Sequence, residues 1–229
     1  MAKVHRKSND DDSLVDIGEK KVQAQDFYEK NQSLILGGLL GLVLLIGGIY
    51  AYNNFYKKPR IAEAIGEMAQ AERMFEKDSF ALALTNPGGG SLGFEDIAST
   101  YSGTSTGNIA NYYAGVCYLQ LGQYEAAKSY LEDFNPEGTV LNITYYGVLG
   151  DTYSELGEMD NAISNYKKAA NQGTNEFLQA YYMKKLGLIY ENQGNTAEAK
   201  STFESLKNKY PTTPAGQDIE KYISRVSVN

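Results

Sequence analysis

The stretch LGDTYSELGEMDNAISNYKKAA, residues 149–170, decides the fold, because its pattern occurs three times in the chain. The pattern is a glycine, a tyrosine three residues later, a second glycine four residues after that, and an alanine five residues further on. Its copies are Gly115-Tyr118-Gly122-Ala127, Gly150-Tyr153-Gly157-Ala162 and Gly187-Tyr190-Gly194-Ala199. The first glycines lie 35 and 37 residues apart, which is the period of helix-pair repeats.

Each copy predicts two helices joined at its second glycine, where a positive φ is accessible to glycine. Its alanine is expected where the two helices approach closely. The predicted helices cover 108–121 and 124–134, then 141–156 and 159–170, then 175–192 and 196–210. Pro136 and Gly138 are expected to end the first pair. Three repeats are therefore assigned to residues 108–211.

Both flanks of this array are predicted to be helical as well. A helix over 60–84, a loop around the glycines at 88–90 and a short helix over 94–101 predict a degenerate first pair in residues 57–107. Residues 212–229 predict a capping helix, because a stack of helix pairs needs its terminal faces covered. The glycine loop is not a phosphate-binding loop, since it lacks the Lys-Ser/Thr ending and follows no predicted strand.

Residues 33–52, SLILGGLLGLVLLIGGIYAY, contain no charged residue. Twenty helical residues are enough to cross a hydrocarbon core of roughly 30 Å. Aromatic residues cluster at the C-terminal end of this stretch, as at a membrane interface. The 32 preceding residues are too many for the usual n-region of a cleaved signal peptide. We therefore predict a retained transmembrane anchor over 33–56.

The N-terminal tail, residues 1–32, begins with a polar segment over 1–12 that is expected to be disordered. From Ser13 a short amphipathic helix leading into the membrane is one interpretation of a weak apolar pattern. Lysines lie on both sides of the anchor, so charge alone does not orient it. Gly37 and Gly41 predict close packing of a partner helix. The alternative is that glycine is simply common in membrane helices.

Composition excludes several classes of function. The net charge of −7 gives no electrostatic footprint for nucleic acid. Cys117 is the only cysteine and His5 the only histidine, so no disulfide can form within the chain and histidine-dependent catalytic or zinc sites are not expected. We interpret Cys117 as a small core residue. The sequence predicts a non-enzymatic protein with no catalytic, cofactor-binding or metal-binding residues and no small-molecule substrate.

The repeated residues resemble those of the tetratricopeptide repeat family. The matching positions are Leu149-Gly150-x-x-Tyr153 with Ala162, Tyr166 and Ala169, and Leu186-Gly187-x-x-Tyr190 with Ala199, Phe203 and Pro211. The first repeat departs from the pattern, with Ala114 before its glycine and Phe134 where a small residue is usual. The resemblance implies an all-α fold, in which a single transmembrane helix is followed by an α-solenoid of such helix pairs.

The order of tail, anchor and repeats is similar to that of the YfgM family of bacterial inner-membrane proteins. That resemblance implies a cytoplasmic N-terminus, a periplasmic repeat domain, and an ancillary role at the SecYEG translocon. The implied partners are the translocon, a PpiD-like membrane-anchored chaperone and exported client proteins. The alternative function is a cell-envelope scaffold that recruits factors for cell-wall or outer-membrane assembly.

In tetratricopeptide repeats the first helix of each pair lines a concave groove. Counting along these helices places ten residues in the groove, including Gly147 and Glu191. Eight of the ten are predicted to bind a partner: Tyr112, Val116, Leu119, Asp151, Glu155, Tyr181, Lys184 and Leu188. Tyr112, Val116 and Val148 stand where polar anchors of a carboxylate clamp are expected, so that binding mode does not fit. A mixed aromatic and acidic groove suits a helix or an apolar peptide segment. The alternative is that the tyrosines only pack against neighbouring helices.

Overall fold

The computed structural model of the protein describes residues 10–137 and 141–227, and every regular element within these ranges is helical. Residues 1–9 of the segment predicted to be disordered over 1–12, the predicted stop at Gly138 and the end of the chain from residue 228 lie outside the described residues. The last three residues of that segment, 10–12, are helical and belong to α1. The helices are α1 Asp10–Ala51, α2 Lys58–Phe75, α3 Phe80–Thr85, α4 Phe94–Thr100, α5 Ser105–Gln120, α6 Tyr124–Asp133, α7 Asn142–Glu155, α8 Met159–Asn171, α9 Glu176–Asn192, α10 Thr196–Lys209, α11 Pro214–Gln217 and α12 Glu220–Ser227.

The chain forms two compact units, one ending at Lys58 and one starting at Pro59, and each is described by itself. In the first unit α1 runs without a break from Asp10 to Ala51, so among the described residues the segment before the predicted anchor over 33–56 is continuous with most of that anchor. Six residues, Tyr52–Lys57, follow in π-helical geometry. By length and composition, the apolar part of this helical stretch is a candidate membrane span.

In the second unit the three repeats fold as the pairs α5/α6, α7/α8 and α9/α10. The second glycine of each copy has a positive φ between its two helices, which explains its recurrence at Gly122, Gly157 and Gly194. The repeated alanines are fully buried at Ala127, Ala162 and Ala199. The pattern therefore acts through turn geometry and close helix packing, as predicted.

The segment before the first repeat differs from the prediction of one helix over 60–84. Helix α2 ends at Phe75, and the chain turns through Asp78, whose φ of 55° is left-handed. A second, short helix α3 then begins at Phe80. Ile65 in α2 and Leu82 in α3, whose spacing would place them on the buried face of a single helix, are 58% and 51% exposed. The helical spacing of apolar residues continues across this turn. No glycine or proline lies in the turn to indicate that the helix ends there.

A second repeated segment was missed in the sequence. FEDIASTYSGTSTG, residues 94–107, aligns without gaps with FESLKNKYPTTPAG, residues 203–216. In both, a threonine hydroxyl donates to a tyrosine carbonyl three residues earlier and accepts the N–H of a glycine three residues later. Helix α4 therefore corresponds to α10, the second helix of a pair, and residues of α4 share one buried core cluster with residues of α2.

Tyrosine–carboxylate hydrogen bonds link successive pairs. The hydroxyl of Tyr118 in α5 donates to Glu95 in α4, and that of Tyr153 in α7 donates to Glu132 in α6 at 2.6 Å. The corresponding tyrosine of α9, Tyr190, instead lies under Lys167 of α8, with the ammonium 5.7 Å from the ring centroid. Each pair is thus fixed to the one before it through the tyrosine of the repeated pattern.

Candidate functional site

The first helices of the three repeats are neighbours, since α5 contacts α7 and α7 contacts α9. Two open pockets lie along them. The first, of about 280 Å³, is lined by Leu119, Gln120, Tyr124, Asp151, Ser154, Glu155, Tyr166 and Lys185. The second, of about 330 Å³, is lined by Tyr181, Lys184, Lys185, Leu188, Pro214, Ala215 and Asp218. Because both pockets contain Lys185, they are two parts of one groove.

Six of the eight predicted groove residues line these pockets. Leu119, Asp151 and Glu155 lie in the first, and Tyr181, Lys184 and Leu188 lie in the second. The structure thus brings together residues that are far apart in the chain.

Tyr112 and Val116 do not line either pocket. Tyr112 is only 8% exposed, and its ring packs edge-on against Tyr113 and tilted against Phe134. Val116 is half-buried and packs against the same core. The prediction that Tyr112 faces the groove is therefore corrected. Its ring packs against neighbouring helices, as the alternative interpretation states.

The protein's own tyrosine fills the space between α7 and α9 at Gly147. Tyr182 is buried, and its ring lies where a side chain at Gly147 would have to be. The ring also stacks on Tyr166 with a centroid distance of 6.3 Å. Glycine at 147 is thus required for the ring to enter, and this part of the groove offers no free surface to a partner.

The floor of the first pocket carries a charged network centred on Asp151. The ammonium of Lys185 donates to Oδ1 of Asp151 at 2.6 Å, and the hydroxyl of Tyr166 donates to the same oxygen. Burial lowers the pKa of Lys185, but the hydrogen bond and charge of Asp151 outweigh this and leave the pKa raised. Burial, followed by the charge of Asp151, raises the pKa of Tyr166, so this phenol stays protonated. The network holds three side chains in one arrangement at the floor.

The rim of the first pocket is acidic. Glu155 is exposed on α7, and its charge, together with a hydrogen bond, raises the pKa of the Tyr124 hydroxyl on α6. Because the charge of Asp151 is balanced by its ion pair with Lys185, Glu155 is the carboxylate of this pocket that presents a net negative charge to solvent. A partner would meet a negative charge here.

The second pocket combines an apolar wall with lysines. Leu188 of α9 and Pro214 and Ala215 of α11 supply aliphatic surface, and the ring of Tyr181 lies beside them. The hydroxyl of Thr213 caps α11 by accepting the N–H of Gly216 at 3.1 Å. This cap fixes the wall that the C-terminal segment contributes.

Several lining residues could not be found by counting along the first helices. Tyr124 and Tyr166 belong to second helices, and Pro214 and Ala215 belong to α11. Lys185 was missed beside Lys184, although it joins the two pockets. Lys185 could have been predicted to face Asp151, because the two residues are 34 positions apart, which is about one helix-pair period.

The remaining candidates have structural explanations. Cys117 is fully buried, and burial raises the pKa of its thiol to about 12. Among the residues that the structure describes, no three His, Cys, Asp or Glu side chains could hold a metal ion together.

Gly37 and Gly41 lie in α1, and a Cβ on either would meet no atom within 4 Å. The described part of the chain leaves that face open.

Comparison with known families agrees with this architecture. One tetratricopeptide repeat family matches residues 110–135 and 183–213, and a second matches residues 143–171. The chain contains tetratricopeptide repeats. These repeats coincide with the three pairs that form the groove, and they imply the role of a protein–protein interaction adaptor. No curated protein matches the chain.

Proposed function

We propose that the protein is a membrane-anchored, non-enzymatic adaptor that binds partner proteins in the groove along α5, α7, α9 and α11. The observation that carries this proposal is the groove itself. Its two pockets combine exposed aromatic, acidic and basic side chains, which is the mixture expected for recognition of a peptide or helix. The repeats supply the rigid frame, and the variable residues between them supply the specificity.

The proposed setting is protein export. The order of tail, apolar helix and repeats, which resembles the YfgM family, supports an ancillary role at the SecYEG translocon beside a PpiD-like chaperone, acting on exported proteins. In this proposal α1 anchors the protein in a bacterial inner membrane. Its N-terminus is cytoplasmic and the tetratricopeptide repeats are periplasmic.

Affinity purification from membranes solubilised in a mild detergent tests this setting. Translocon subunits and a periplasmic chaperone should co-purify with the full-length protein. Recovery of cell-wall or outer-membrane assembly factors without translocon subunits would refute the export proposal and favour a cell-envelope scaffold. Protease added to intact and to permeabilised cells tests orientation, because a periplasmic repeat domain is cleaved once the outer membrane is opened.

The glycine pair in α1 offers a test of packing within the membrane. Close approach of a second helix requires small residues at the contact. Replacing Gly37 and Gly41 with leucine should reduce co-purification of a membrane partner. Replacing Gly47 and Gly48 with leucine is the matched control, because these glycines lie in the same helix and a Cβ on either is equally unobstructed. Equal recovery with both double variants would contradict the packing proposal.

A further inference from the structure

One face of α9 presents apolar side chains to solvent beside the second pocket. Phe177 and Tyr181, four residues apart, are 65% and 46% exposed. Lys184 and Leu188 follow at intervals of three and four residues, which places all four on one side of the helix. Large exposed apolar side chains in a row indicate an interaction surface.

Cations are concentrated next to this face, around the ring of Tyr222 in α12. The ammonium of Lys184 lies 4.8 Å from the ring centroid, that of Lys221 lies 5.3 Å away, and the guanidinium of Arg225 lies 4.9 Å away. Two carboxylates accompany them: Asp218 pairs with Lys221 at 3.1 Å, and Glu191 pairs with Arg225.

Three cations against two carboxylates leave one positive charge in excess at this corner of a chain whose net charge is −7. None of the ion pairs between described residues involves Lys184. Asp218, which lines the same pocket, is paired with Lys221, whose hydrogen bond and charge lower the pKa of Asp218, and the charge of Lys184 adds to this effect. Lys184 therefore carries the excess charge. Its neighbour Lys185 is already held by Asp151. The available ammonium therefore lies at the edge of a pocket walled by Tyr181, Leu188 and residues of α11.

We propose that this second pocket binds a peptide segment in which apolar side chains are followed directly by an aspartate or glutamate side chain. The apolar side chains would pack against Tyr181 and Leu188, and the carboxylate would pair with Lys184. The proposal deepens the adaptor function and rests on it. It places the selective contact between the last repeat and the capping segment, so α11 forms part of the binding site as well as covering the end of the array.

Fluorescence anisotropy with the full-length protein in detergent tests this pocket. The probe is a short labelled peptide with two leucines followed by two aspartates and an amidated C-terminus. Two matched peptides carry lysines in place of the aspartates or serines in place of the leucines. A further peptide ends in the two leucines with a free C-terminal carboxylate, which distinguishes a terminal carboxylate from a side-chain carboxylate as the group bound.

The leucine–aspartate peptide should bind, and the lysine and serine peptides should bind more weakly. Binding of the peptide with the free C-terminus alone would place a chain terminus in the pocket and overturn the proposal. Lys184→Gln should weaken binding by about fivefold, the size expected for a partly exposed ion pair. Lys200→Gln is the matched control, because Lys200 is exposed on α10 and lines neither pocket. Lys184→Glu should restore binding of the lysine peptide, a gain that misfolding cannot produce.

Equal binding of the serine peptide would show a bare anion site and overturn the proposal. Unchanged binding by Lys184→Gln, or no binding of the leucine–aspartate peptide, would overturn it as well. The affinity purification described above separates this inference from the adaptor function. If Lys184→Gln loses the peptide but still recovers translocon subunits, those subunits bind elsewhere; if neither peptide nor subunits bind the unaltered protein, both proposals fail.

Discussion

Gly150→Ala tests the close packing that the repeated pattern specifies. A Cβ at this position in α7 would lie 2.7 Å from Cδ1 and 2.8 Å from Cε1 of Tyr166 in α8. Both distances are shorter than the contact distance of two non-bonded carbon atoms, so the ring of Tyr166 has to move. Tyr166 is buried, and its hydroxyl is held by Asp151, so the ring is restrained at both ends.

The expected effect follows from two opposing contributions. Overpacking a core costs about 1–3 kcal/mol, and a restrained ring places this case in the upper half, at about 2–3 kcal/mol. Alanine stabilises a helix interior relative to glycine by about 0.5–1 kcal/mol. The net loss in the free energy of unfolding is therefore about 1–2.5 kcal/mol. For a domain of this size each kcal/mol lowers the melting temperature by about 2–4 °C.

Circular dichroism of the detergent-solubilised protein during heating measures this loss. Gly66→Ala is the matched control, because Gly66 is an exposed helical glycine whose Cβ would meet no atom within 4 Å. It should raise the melting temperature slightly, through helix propensity alone. Gly187→Ala should lower it more than Gly150→Ala, since its Cβ would overlap the ring of Phe203 more deeply. A Gly150→Ala melting temperature at or above that of the unaltered protein would refute the packing argument.

The remaining predictions concern the groove and the core. Asp151→Ala leaves the ammonium of Lys185 without its partner and should lower the free energy of unfolding by about 1–3 kcal/mol in a urea titration; an unchanged midpoint would show that the pair is freely solvated. Tyr112→Ala should cost about 3–5 kcal/mol, because the ring is core, and full stability would return Tyr112 to the groove. Cys117 should resist iodoacetamide at pH 8 and react in guanidinium, because burial raises its pKa to about 12. Since the unfolded thiol ionises near pH 8.5, this group should lower stability as the pH rises from there to about 12, and a thiol titration of the native protein that ends near 8.5 would contradict this.

The repeats were predictable because their recurring residues are required by the local backbone geometry and by close helix packing. A glycine such as Gly157 is needed for a positive φ, and an alanine such as Ala162 is needed where helices touch, so both recur with the period of the fold. The break after α2 was not predictable in this way. Asp78 adopts a left-handed φ, although it is not a glycine, so its residue type did not predict a turn. Phe80, the first residue of α3, continues the helical spacing of apolar residues beyond that turn.

The groove was predictable only as far as it lies on the first helices. Leu119 and Leu188 were found by helical spacing, because that spacing determines which side of a helix faces the groove. Pro214 was not, because its place beside α9 depends on how the C-terminal segment folds back. Tyr112 faces inward because the buried rings of Phe134 and Tyr145 lie in the adjacent core. Periodicity assigns a face, but neighbouring side chains decide whether that face is free.

Tyr181 and Tyr182 show how such neighbours divide the groove. They are adjacent in α9, yet Tyr182 enters the space left by Gly147 and is buried, whereas Tyr181 remains half exposed beside the second pocket. A side chain at position 147 would overlap the ring of Tyr182 and force it to move. The two pockets instead meet at Lys185, which lines both of them. A peptide that spans both pockets must pass Lys185, and its charges determine the direction in which it lies, because Glu155 lines only the first pocket and Lys184 only the second.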